Sequence, residues 1–239
     1  MNFLRVMKSP APRLTAPVLA LSILAAGSAS ANIIIDSFDE VAADNVYPIS
    51  LISVGLFSVT ETNLTSVLGG RRTTTLTVSS LGDPGPESGQ IIIAPQPQGI
   101  FDFASSSTAI GSASLKYAGG ITDFSDQIGF EIDFLAFDHA TNASMDVMIL
   151  LHEGANTLTQ TTTLTAPITA PETRFFDASQ FTGAANLAAI DSVEVKFMGG
   201  AGTDFRIDEF RAVTIPVPAT FVLCGLMGLA GTIHRRRTT

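Results

Sequence analysis

The chain has 239 residues, 46% of them hydrophobic and 15% charged, with a formal net charge of −9; this excludes a disordered chain, which needs low hydrophobicity and high charge. All 22 acidic residues lie between Asp36 and Glu209, beside Arg71, Arg72, Lys116, Arg174, Lys196, Arg206 and Arg211, so the interior is near −15 and each end near +3. Nucleic acid, which demands a basic footprint, is excluded as a partner.

In chain order, residues 1–31 read as a secretory signal peptide. Arg5, Lys8 and Arg13 form a basic start, Val18–Ala26 a short apolar run, and Ala29-Ser30-Ala31 an A-x-A site for signal peptidase. The apolar run is too short for a membrane span of about 20 residues, so the sequence predicts export with cleavage near Ala31.

Residues 32–213 read as one domain. Apolar and polar residues alternate at period two, with Gly, Pro, Asn and Asp at the breaks. The strands predicted are Ile33–Phe38, Ser50–Thr60, Thr73–Ser79, Gln90–Ala94, Ile100–Ala104, Ser112–Tyr117, Phe130–Phe137, Met145–His152, Thr157–Leu164, Ser192–Met198 and Phe205–Val213. Leu187–Ile190 reads as a helical turn and Gly82–Glu87 as a loop. The Thr-rich stretch Thr159–Thr165 reads equally as an exposed strand or a glycosylated stalk. So many short strands in one domain predict an all-β fold, a single β-sandwich of jelly-roll type. The domain lacks cysteine, so core packing alone must hold it, with most of the 16 phenylalanines inside.

Residues 214–239 form a separate device. Pro216 and Pro218 mark a linker, Ala219–Ile233 is an uncharged run expected as a single hydrophobic helix, and Arg235, Arg236 and Arg237 close the chain. Gly225, Gly228 and Gly231 recur every third residue, and Cys224 reads as a small apolar helix residue. With the motif Pro216-Val217-Pro218-Ala219-Thr220 and the terminal arginine triplet, residues 215–239 resemble a PEP-CTERM sorting signal, departing from it at Val217, where the family's name implies Glu. The resemblance implies an exosortase-type partner, membrane contact through the helix before processing, and delivery to the surface or extracellular matrix of a Gram-negative-type bacterium that makes exopolysaccharide. A simple tail anchor is the plainer reading. Separately, Ala189–Phe197 with Asp204–Phe210 resembles, loosely, the closing strand pair of galactose-binding-like jelly rolls.

The residues for chemistry are sparse. His139 and His152 sit on neighbouring strand candidates, within reach of each other if these form a hairpin, with Asp138, Asp146 and Glu153 nearby in sequence. Two histidines and a carboxylate suit zinc, but ligand spacing is absent, and solvated strand-end histidines are the plainer reading. Glu131 and Asp133 share one strand face about 7 Å apart, near a glycosidase separation; an exposed acidic strand produces the same pair. Gly69-Gly70-Arg71-Arg72 reads as a turn displaying two surface arginines rather than an anion site. Calcium suits an acidic domain better than catalysis does, and Asp204 and Asp208, flanking the last strand, are its candidate ligands, although no EF-hand loop is present. With no Trp and only Tyr47 and Tyr117, a flat aromatic sugar platform is not expected. No residue is assigned a catalytic role. The sequence predicts an exported, non-enzymatic component of the cell surface or polysaccharide matrix. A carbohydrate- or calcium-binding module is the alternative, and a secreted hydrolase the third reading.

Overall fold

The computed structural model describes residues 31–41, 48–82, 91–96 (backbone), 99–140 and 143–214. Ala31 is exposed at the first described position. Ala29, Cys224 and the whole tail with Pro216, Val217, Pro218, Ala219, Thr220, Arg235, Arg236 and Arg237 lie outside the described residues, as does most of the Gly82–Glu87 loop.

Among the described residues the period-two pattern becomes fourteen strands: β1 (Ile33–Asp36), β2 (Ile49–Leu51), β3 (Gly55–Thr62), β4 (Arg71–Ser80), β5 (Ile91–Gln96), β6 (Ile100–Ser105), β7 (Ile110–Thr122), β8 (Gln127–Asp138), β9 (Met145–Glu153), β10 (Asn156–Leu164), β11 (Glu172–Asp177), β12 (Thr182–Gly183), β13 (Ile190–Gly199) and β14 (Asp204–Thr214). They form two antiparallel sheets, a sandwich of the jelly-roll type that the sequence predicts. The first sheet runs β11-β8-β14-β6-β5-β2, with β1 also on β14, and the second β12-β10-β9-β13-β7-β4-β3. Among the described residues the helical elements are 3₁₀ turns; the expected turn at Leu187–Ile190 is one of them, Leu187–Ala189, capped by the Asn186 side chain accepting from Ala188 N.

Inward positions carry the large apolar residues. Phe130, Ile132 and Phe134 of β8 alternate inward until a register shift against β14 passes over Leu135 and turns Phe137 to the core as well. Phe101, Phe103, Phe197 and Phe205 meet at the middle of the sandwich, with Phe197 and Phe205 centroids 4.5 Å apart and Phe103 and Phe205 5.0 Å. Each such pair adds about 1 kcal/mol beyond the area it buries.

Three expectations are corrected. The stretch Ser50–Thr60 is split: β2 belongs to the first sheet and β3 to the second, so the chain crosses between layers at Ile52–Val54. The strand from Ile33 ends at Asp36, because the Asp36 carboxylate accepts from Phe38 N at 2.8 Å and Phe38 turns to a φ of 55°. Glu172–Asp177, unassigned from the sequence, is a strand, held edge-on to β8 with Glu172 opposite Phe134.

Candidate binding face

The outer surface of the second sheet is built from the polar half of the strand alternation. In register across β10, β9, β13, β7, β4 and β3 lie Thr161, Met148, Lys196, Ser114, Thr75 and Ser58. The neighbouring rows read Thr159, Leu150, Glu194, Lys116, Thr73, Thr60 and Thr163, Asp146, Met198, Ser112, Thr77, Leu56. Hydroxyls therefore recur about 4.8 Å apart across β7, β4 and β3 and stand again on β10, while β9 and β13 between them carry Met, Leu, Lys and acidic side chains. Several of them hold one another: Ser58 Oγ and Thr75 Oγ1 are 3.0 Å apart, as are Thr60 Oγ1 and Thr73 Oγ1.

Glu194 is the polar centre of this face. Ser114 Oγ donates to its Oε1 at 2.7 Å, Lys196 Nζ lies 3.4 Å from the same oxygen, and His152 Nε2 lies 3.5 Å from Oε2. His152 is fixed on its other side by Thr157 Oγ1, 3.1 Å from Nδ1. Both lysines of the domain, Lys116 and Lys196, stand here. Beyond the row of Met198, a hollow of about 520 Å³ opens among Thr77, Ser79, Ser112, Ser144, Met198 and Gly200.

The outer surface of the first sheet is of another kind. Asp102, Glu131, Asp133, Asp138, Asp204, Asp208 and Glu209 lie on β6, β8 and β14, with Arg206 and Arg211 between them. Arg211 answers three carboxylates: Nε donates to Glu131 Oε2 at 2.8 Å, and Nη1 to Asp133 Oδ2 at 2.6 Å and Glu209 Oε1 at 2.7 Å. Burial works to lower the Arg211 guanidinium, but these bonds outweigh it and hold it above its ordinary value. The Glu131/Asp133 pair read as a hydrolase candidate is thus engaged by a guanidinium, with Thr173 Oγ1 also donating to Asp133 Oδ1 at 2.6 Å.

Asp204 opens β14, where Ser105 N donates to it at 2.9 Å; Asp208 lies within the strand rather than beyond its end, at a register shift. They are four residues apart along an extended strand, about 13 Å. Burial raises both carboxyls, reinforced at Asp204 by Asp138 and Asp102 and at Asp208 by Asp133, Glu209 and Asp39. Among the described residues no group of three or more His, Cys, Asp or Glu converges in a way that suits a metal ion.

The two histidines do not approach each other. β8 and β9 belong to different sheets, so no hairpin joins them. His139 follows β8, its Nδ1 2.8 Å from Ala140 O and its ring 5.2 Å from Phe137, while His152 lies at the far end of β9, roughly 24 Å of strand beyond Met145.

Arg72, expected at the surface, is fully buried. Its Nη1 donates to Asp36 Oδ2 and its Nε to Glu61 Oε2, each at 2.8 Å, and Nη2 reaches Glu40 O at 3.0 Å. Strand parity was the available signal, since Arg72 shares its side of β4 with Thr74, Leu76 and Val78. Arg71 alone is exposed. Gly69 and Gly70 do make the turn, both with a φ of 69°.

No family model and no curated protein matches the chain. Solved structures resemble it. One is the family 11 carbohydrate-binding module from Clostridium thermocellum in complex with a β-1,3-1,4-mixed-linked tetrasaccharide, at 13% identity and a TM-score of 0.40 over 77% of this chain and 97% of that one. Another is the family 11 module of the cellulosomal cellulase Lic26A-Cel5E of the same organism, at 13% and 0.41 over 78% and 96%. A family 28 module specific for non-crystalline cellulose follows, at 13% and 0.37 over 58% and 81%. At these identities and TM-scores the resemblance transfers no ligand and no residue to this chain.

Proposed function

We propose that this chain is an exported, non-catalytic polysaccharide-binding protein that meets its glycan on the outer face of the second sheet. One observation carries the reading: the Thr and Ser hydroxyls of β10 on one side and of β7, β4 and β3 on the other flank Glu194, which gathers Lys196, His152 and Ser114. A hydroxyl both donates and accepts, as sugar hydroxyls do. Met148, Leu150 and Met198 supply apolar contact for the C–H faces of a sugar ring. A chain lying across the strands would meet these groups at regular intervals without needing an aromatic platform.

The termini complete the proposal. Signal peptidase removes residues 1–31 at the Ala29-Ser30-Ala31 site, and an exosortase-type enzyme reads the tail from Pro216 to Arg237. The protein then works at the cell surface or in the extracellular polysaccharide.

Native electrophoresis through gels containing a soluble neutral β-glucan or an acidic exopolysaccharide tests the binding. Retardation of the wild-type protein is expected, with relief by Thr75→Val and Lys196→Ala and none by Arg206→Ala on the opposite face. Equal mobility of wild type and face variants in both gels overturns the reading.

A further inference from the structure

Among the described residues the sheet edges, which include four-residue β1 on β14 and the stretch Gln160–Leu164 of β10 that β12 does not cover, are protected unequally. β12 has two residues and β2 three, too short to pair with another chain, and β11 carries Glu172, Arg174 and Asp177. β3 is different. It runs eight residues, Gly55–Thr62, with neither Pro nor Lys, and among the described residues nothing pairs with its outer edge.

Its surroundings are apolar and open. Ile52, Val54, Leu56 and Phe57 are exposed by 75%, 63%, 67% and 44%. Phe57 faces the same way as the buried Leu76 across the ladder, yet half of it is uncovered because the sandwich ends there. From Asp44 to Glu61 the sequence holds no charged residue between these two acids, in a domain near −15. Two such domains repel each other over most of their surface, and this edge is where they can approach without setting like charges together.

We infer that β3 is the interface through which two copies of this chain pair, edge to edge and antiparallel. A two-fold axis perpendicular to the sheet sets each residue opposite one of the same face. Centred on Ser58, it places Phe57 against Val59, an aromatic against a β-branched residue, and Leu56 against Thr60. Glu61 then faces Gly55, so the one acid of the strand meets no like charge. The second sheets of the two copies become continuous, with their outer faces on the same side. The closed two-fold arrangement uses up both β3 edges, so pairing through this strand stops at a dimer.

The domain's lack of cysteine makes the test direct. In the full chain carrying Cys224→Ser, Ser58→Cys would bring two residue-58 Cα atoms to about 5 Å, within disulfide range. A covalent dimer under mild oxidation is expected from Ser58→Cys and not from Thr161→Cys, on the same face but near the opposite edge of the sheet. Val54→Lys with Leu56→Lys, both at exposed positions, should convert the sedimenting dimer to a folded monomer whose melting temperature no longer rises with protein concentration. A wild-type chain that sediments as a monomer at micromolar concentration overturns the inference. Equal cross-linking at positions 58 and 161 overturns it too, as does amide protection along β3 without any cross-link, which would mean that another segment of the same chain lies there.

Discussion

Arg72 Nη1 of the second sheet lies 2.8 Å from Asp36 Oδ2 at the end of β1, on the first sheet, with both side chains fully buried. Glu61 completes the group from β3, so one guanidinium ties the N-terminal strand to both members of a hairpin in the facing layer. Burial works to lower the Arg72 guanidinium; Asp36 and the Glu61 bond outweigh it and keep it charged.

Removing the cation leaves two buried carboxylates without an answer. Arg72→Met should cost about 4 kcal/mol, read as a fall in the urea midpoint at unchanged slope. Combining it with Asp36→Asn and Glu61→Leu should recover most of that loss, because the buried charges are gone and an acceptor for Phe38 N is kept. A triple variant as unstable as the single one would contradict this account.

Gly119 and Gly69 touch backbone to backbone: a Cβ on Gly119 would lie 2.0 Å from Gly69 O. Neither partner atom is the end of a flexible side chain, so Gly119→Ala must displace the turn before β4. A loss of about 2 kcal/mol or more in thermal or chemical unfolding is expected. Gly55→Ala, with nothing within 4 Å, should be close to neutral.

The pH dependence of Asp204 runs opposite to that of most carboxylates. Burial raises its folded-state value above the unfolded one, with Asp138 and Asp102 adding to the effect. Its contribution to stability is therefore complete below the unfolded value and lost as pH rises through the folded one. Asp204→Asn keeps an acceptor for Ser105 N. It should melt with the wild type well below the ordinary carboxylate range, then about 2 °C higher at neutral pH, the modest size reflecting solvent screening of a half-exposed group. Glu40 has the reverse sign. Backbone bonds from Ser66 and Thr65 hold it low, so its contribution is present above the unfolded value and disappears as pH falls through the folded one.

On the proposed binding face, Glu194→Gln should weaken glycan affinity about tenfold, roughly 1.4 kcal/mol, by slackening the hold on Lys196 and His152. Titration calorimetry gives the affinity, and the melting temperature should be unchanged. Loss of affinity only in variants that also melt early would make the effect one of stability.

The local alternation in the sequence was enough to find the strands that form the core. Phe130 to Phe134 and Val193 to Phe197 each carry their own in-and-out code, and the structure follows it. Which layer a strand joins is not encoded locally: Phe137 and Met145 lie close in the chain, yet β8 and β9 belong to opposite sheets. β11 was missed because Glu172-Thr173-Arg174 lacks alternation and is held by its neighbour β8. The charge of Arg72 points to the surface and its parity on β4 to the core, and the parity prevails because Asp36 and Glu61 answer the charge. The hydroxyls of the proposed binding face were half visible, as Thr73, Thr75 and Thr77 alternate with Thr74 and Leu76. That Thr159, Glu194 and Ser114 share their surface needed the register of three more strands.

The carboxylates of the first sheet and the two lysines of the second give the sandwich an electric polarity along the normal to its layers. Near any anionic polymer or membrane such a body experiences a torque over about a Debye length, 8 Å at physiological salt. On the reading proposed above, the second sheet's outer face, where Lys116 and Lys196 balance Glu194 and Asp146, would lead, and the acids of the first sheet would act by repulsion on which side arrives.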